Sequence, residues 1–183
     1  SHSGGVQSIQ WFRFDVDDDL ARVELRGPAL YGRPGEMRFR LPVPVSDAPP
    51  GVNFDNKLRL RGYAYQAEAY RPGETVQLTL QWEAMRAMDE AYKVFVHVLG
   101  PSGLPVAQQD NEPLNGTYPT TRWQPGERVS DPYAIALPAG LPPGEYPVEV
   151  GLYRLSDFTR LPVLDAGQNV VDDKLYLEPL VIR

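Results

Sequence analysis

The sequence predicts an antiparallel, immunoglobulin-like β-sandwich preceded by an N-terminal strand hairpin. Three observations carry that expectation. Apolar and polar residues alternate with period two along most of the chain. Nineteen prolines and sixteen glycines in 183 residues are too many for a helical protein, while 42% hydrophobic residues are too many for disorder. The tripeptide Pro-Gly-Glu occurs four times, after Arg33, Arg71, Gln124 and Pro142, each time ahead of a predicted strand. Proline presets φ at the second position of a type II turn and glycine supplies the positive φ of the third.

Taken in order, SHSGG (1–5) reads as a tag remnant and the chain as a piece of something longer. An N-terminal β extension is expected over 6–50. There IQWFRF (9–14) suits a strand, and Ala21, Val23, Leu25 and Met37, Phe39, Leu41 alternate with charged residues. The proline-rich PVPVSDAPPG (42–51) cannot supply regular ladder donors and marks a boundary, with the sandwich domain expected over 51–183. KLRLRGY (57–63) opens the main body. Val76, Leu78, Leu80 and Trp82 then share one face of a strand whose other face is Thr75, Gln77, Thr79 and Gln81. Residues 83–91 (EAMRAMDEA) are the only helix-prone window, long enough for a turn or two. YKVFVHVL (92–99) is apolar on both faces, as a covered central strand requires. A turn at Pro101-Ser102-Gly103 and a polar, aromatic-containing loop follow. Further strands are expected at 129–137, 145–153 and 174–182.

Composition excludes several chemistries. A net charge of −6 argues against a general nucleic-acid binder, which needs a basic footprint. No apolar run approaches the length of a membrane span. With no cysteine and one histidine outside the tag, His97, zinc lacks its preferred ligands and no cofactor is expected. Calcium needs only oxygen. Its candidates are Asp15, Asp17, Asp18 and Asp19, then Asp110-Asn111-Glu112, then Asp165, Asp172 and Asp173. None follows the spaced EF-hand loop.

His97 and Asp110 are separated by about one strand and a turn, so an antiparallel neighbour brings them together. A core polar pair that locks the loop to the sheet is favoured over a general base. A serine triad would have to use His97, and no Gly-x-Ser-x-Gly elbow is present. A glycosidase pair, Asp110 with Asp131, can be nominated but has nothing specific to support it. Tyr118, Arg122, Trp123 and Tyr133 are the candidate ligand contacts, because flat rings stack on sugar faces while nearby polar groups bond hydroxyls. The competing expectation is that Trp123 plugs the sandwich edge. The stripe Lys57, Arg59, Arg61 reads as a solvated sheet face, with contact to anionic lipid the weaker alternative.

From about Asn53 onward the sequence resembles a bacterial β-sandwich domain that lies C-terminal to polytopic membrane glycosyltransferases of the polyprenyl-phosphate-sugar type. The matching pieces are NFDNKLRLRGY (53–63), RPGETVQLTLQW (71–82), YKVFVHVL (92–99), QQDNEP (108–113), GTYPTTRWQPGE (116–127), LPPGEYPVEVGLYR (141–154) and RLPVLD (160–165). Asp55 and Gln81 depart from the family pattern without threatening the fold. The resemblance implies an extracytoplasmic, membrane-tethered location and no established catalytic set. It implies an accessory role in glycan or acceptor recognition, or packing against the membrane-embedded part of the parent. A purely structural or protein-interaction module is the alternative, and a hydrolase comes last.

Overall fold

The computed structural model describes residues 51–183. Strands expected over 6–50, the calcium candidates Asp15 to Asp19 and the first Pro-Gly-Glu lie outside the described residues. Two antiparallel sheets pack face to face as a sandwich. The strands are β1 (Val52–Phe54), β2 (Leu58–Tyr65), β3 (Thr75–Ala84), β4 (Tyr92–Leu99), β5 (Pro105–Asn111), β6 (Arg128–Ala136), β7 (Gly144–Arg154), β8 (Val163–Leu164), β9 (Val170–Asp172) and β10 (Leu175–Ile182). One sheet runs β6-β3-β2-β1-β8-β9 and the other β10-β7-β4-β5.

The core follows from the alternation. Val76, Leu78, Leu80 and Trp82 of β3 face Val94, Val96 and Val98 of β4 and Tyr146, Val148, Val150 and Leu152 of β7 across the interior. Phe54 meets Trp82 edge-on at 5.7 Å between ring centroids. β4 lies between β5 and β7 in its sheet, and its inner face is wholly apolar because it packs into the core between the sheets.

Two of the three described Pro-Gly-Glu copies are type II turns. Gly73 and Gly126 have φ of 83° and 81°, and the glutamate N–H donates to the carbonyl of Arg71 or Gln124. The glutamate side chain then reaches back to the N–H of the same residue, at 2.9 Å for Glu74 to Arg71 and 2.7 Å for Glu127 to Gln124. The third copy follows Pro142, which has no N–H to offer, and Gly144 instead begins β7.

Two expectations change. The 83–91 window forms no α-helix: β3 runs to Ala84, whose N–H bonds the Glu127 carbonyl, and the chain then bends toward β4. Among the described residues the helical pieces are the 3-10 turns Pro113–Gly116 and Thr120–Arg122. Part of the expected loop after residue 103 is a strand, β5.

At the end of its sheet β10 bulges between Leu177 and Leu180. The Glu178 N–H donates to the Tyr63 hydroxyl, and the Tyr65 hydroxyl donates to the Glu178 carbonyl, both at 3.0 Å. Farther along, the Tyr70 backbone takes the Val181 carbonyl and the Arg183 N–H.

Candidate functional site

The loop through Tyr118 and Trp123 closes on itself. Trp123 is 1% exposed, and its indole N–H donates to the Tyr118 carbonyl. Tyr118 stacks against it at 6.4 Å, with the Arg122 guanidinium 5.2 Å from the Tyr118 ring centre. The Tyr118 hydroxyl donates to Glu127 at 2.8 Å, and that hydrogen bond to the carboxylate raises the phenol pKa. Buried Thr120 accepts the Tyr92 N–H and bonds the Glu90 carbonyl, fastening the loop to the start of β4. Tyr133 is also 1% exposed. Its hydroxyl donates to Asp131 at 2.7 Å, while the Leu114 N–H takes the other Asp131 oxygen at 2.8 Å. The expectation that Trp123 and Tyr133 stack on a ligand is therefore corrected, since neither ring has a free face. Asp131, nominated with Asp110, is likewise buried, with both oxygens engaged by Tyr133 and Leu114. Burial pushes the Asp131 carboxyl pKa up, and its hydrogen bonds offset part of that shift.

The basic stripe is also met from within. Lys57 pairs with Asp55, while Arg59 and Arg61 converge on Glu83 at 3.9 and 3.4 Å.

The outer face of the four-stranded sheet is different. His97 and Phe95 point away from the core on β4, beside Glu149, Gly151 and Tyr153 of β7 and Asp110 of β5. The structure brings His97 and Asp110 together, Nε2 to Oδ1 at 3.1 Å, and adds a partner that sequence reasoning missed: Nδ1 lies 2.9 Å from Glu149 Oε1. Each ring nitrogen of His97 therefore faces a carboxylate oxygen, one from each neighbouring strand. Asp110 continues the network to Tyr153. Burial, the Asp110 charge and a hydrogen bond to that carboxylate all push the Tyr153 phenol up.

A row of rings extends from here. Phe95 lies 4.9 Å from His97 and stacks on Tyr153 at 6.4 Å, and Tyr153 meets Phe158 at 5.9 Å. Phe95 is possible only because residue 151 is glycine: a Cβ there would stand 2.3 Å from the Phe95 Cζ. The Arg160 guanidinium covers the Phe95 ring at 4.5 Å and leans toward Asp173. Phe158 is 72% exposed and holds a φ of 62°, rare for a bulky residue. Its N–H bonds the Arg154 carbonyl, and Asp157 takes the Thr159 N–H, so the turn presents the ring outward. Phe95, His97, Asp110, Tyr153, Phe158 and Arg160 line a cleft of about 240 Å³. Sequence reasoning singled out none of Tyr153, Phe158 and Arg160, because they meet only through the β4–β7 register and the turn after β7. The available signal was an outer-face alternation, Glu149-Gly151-Tyr153, on a strand whose other face is fully apolar.

No protein-family model and no curated protein matches the chain. Among solved structures it is similar to the C-terminal domain of wzt, at 12% identity over 74% of this chain and 82% of that one, with a TM-score of 0.50. It also matches Spo0M, the sporulation control protein from Bacillus subtilis, at 18% identity over 69% of this chain, with a TM-score of 0.36; the chain spans 49% of that protein. At these identities the first likeness supports the sandwich fold.

Proposed function

We propose that residues 51–183 form a non-catalytic accessory domain that binds a saccharide in the Phe158 cleft. The observation that carries this is the exposed Phe158 ring, held in a left-handed turn beside Tyr153, with Asp110 and Arg160 in the same cleft. An apolar ring flanked by a carboxylate and a guanidinium meets both faces of sugar chemistry, the C–H surface and the hydroxyls. A binding role is favoured over hydrolysis because Asp110 and Glu149 both bond one imidazole, leaving neither as an unengaged acid or base opposite the other. The extracytoplasmic setting and a membrane glycosyltransferase parent rest on the sequence resemblance from about Asn53 onward, which supports a tethered glycan- or acceptor-recognition module. No helix among the described residues is long and apolar enough to cross a membrane.

The test is calorimetric or NMR titration with neutral oligosaccharides against the parent protein and Phe158→Ala. Binding that weakens roughly tenfold in the variant, about 1.4 kcal/mol, is expected. Equal affinities would remove the cleft from the site. Glycosidase turnover abolished by Asp110→Asn would overturn the non-catalytic reading.

A second reading has its own observation. Val170 and Val171 on β9, the last strand of the larger sheet, are 67% and 59% exposed, as a protein-contact edge would have them. Loss of a protein partner on Val171→Lys, with no saccharide bound by the parent, would favour that module instead.

A further inference from the structure

We propose that the saccharide face continues past the Phe158 cleft to a second aromatic subsite at Tyr176, so that the ligand is a linear, uncharged glycan rather than a single sugar. This rests on the saccharide reading of the first cleft and adds its length and charge.

The register places the second subsite. Tyr176 pairs with Glu149, Glu149 with His97, and His97 with Gln108. Directly paired residues share a face, so Tyr176, Glu149, His97 and Gln108 form one row across all four strands, on the outer side. Tyr153 lies on that same face, four positions along β7 from Glu149. At about 3.3 Å per residue the two tyrosine levels are roughly 13 Å apart along the strands. One sugar ring cannot reach both, whereas a short oligosaccharide lying along β7 can. Tyr176 is 52% exposed. It borders a second, broader cleft of about 930 Å³ that includes Leu99, Val106, Tyr146, Pro147 and Pro179. Asp110, in the row of Phe95 and Gly151, lies between the two aromatic levels, and Glu149, His97 and Gln108 lie on the Tyr176 level itself, the kind of partners that sugar hydroxyls need.

The charges choose the class of glycan. Asp110 and Glu149 face the path and Asp172 and Asp173 flank it. Lys174, whose ammonium lies 5.9 Å from the Tyr176 ring centre, is bonded to Asp172 and Asp173 at 3.1 Å each. Arg160 leans on Asp173. Lys93, paired with Tyr153, is a further cation on this face, so a uronate or phosphate-bearing polymer would still meet more carboxylates than uncommitted cations, whereas a neutral glycan carries no such penalty.

The test uses the full 183-residue chain and calorimetric titration with disaccharides and hexasaccharides of glucose, mannose and N-acetylglucosamine, and with hexagalacturonate. The expected result is a neutral hexasaccharide bound about tenfold or more tighter than its disaccharide, because the second contact is made intramolecularly. Tyr176→Ala should erase that gain and leave the disaccharide unchanged, while Phe158→Ala weakens both. A hexasaccharide no tighter than its disaccharide, or a gain that survives Tyr176→Ala, overturns the second subsite and leaves the first cleft standing. Tighter binding of hexagalacturonate than of every neutral probe overturns the charge assignment. If no probe binds the parent protein, the extended face and the saccharide reading fall together. Melting curves of both variants, each altered at an exposed ring, should match the parent.

Discussion

His97 is held by two carboxylates from opposite sides, and removing it leaves buried Glu149 without its partner. His97→Ala should therefore lower stability by about 1–3 kcal/mol, seen as a drop of several degrees in the melting midpoint. An unchanged midpoint would show that the pair serves a ligand and not the sheet. Asp131 makes a different prediction. Its folded-state pKa is raised above the ordinary 3.8, chiefly by burial, so the folded protein holds this proton more tightly than the unfolded chain does. The stability attached to Asp131 is then greatest below 3.8 and declines as pH rises through its folded-state pKa. In Asp131→Asn that decline should be missing from a comparison of stability against pH, and a variant with the parent's slope would contradict the assignment.

The turn Pro113–Gly116 shows how one side chain can hold a segment. Leu114 and Asn115 both have positive φ, at 51° and 58°, and Asp131 on β6 receives the Leu114 N–H. β4 and β7 depend on a different fit. Gly151→Ala places a methyl against the Phe95 ring and the Asp173 carbonyl, so overpacking of about 1–3 kcal/mol is expected. Loss of saccharide binding should accompany it as Phe95 and Arg160 shift, and a variant with parent stability and binding would refute this. The long alternating strands, β3, β6, β7 and β10, were legible in the sequence because one face of each is apolar. β5, PVAQQDN, was not, because its outer face carries the cleft's Asp110 while its inner side includes Gln109, whose side chain bonds the Ala134 N–H of β6. β1, β8 and β9 are too short to show any period. The His97–Asp110 contact was within reach of spacing arguments. Glu149, Tyr153, Phe158 and Arg160 were not, since only strand register and one turn gather them.

Every large buried apolar side chain among the described residues belongs to one continuous core between the two sheets, apart from Phe95 and Leu99 on the outer face of β4. A core closed in this way within 51–183 predicts that a chain beginning at Gly51 folds cooperatively, with a melting midpoint within a few degrees of the parent. Loss of the cooperative transition would show that the first fifty residues complete the fold. The division of labour between the sheets also explains why the loop through Tyr118 and Trp123 offers no open ring to a ligand at Trp123. Residues 113–123 are bonded inward to β4 and β6, and the loop's aromatic capital is spent on closing the sandwich. The open rings are on the opposite side of β4.

The two phenols that hold Glu178 have a further consequence. An end strand with unpaired amides and carbonyls invites another chain to continue the sheet, the first step toward fibrils. Here Tyr63, Tyr65 and the Tyr70 backbone already occupy those groups on β10. Replacing both phenols by phenylalanine should leave the core intact yet shorten the lag before thioflavin-positive aggregates appear at elevated concentration. If the lag is unchanged, something other than these hydroxyls keeps the molecules apart.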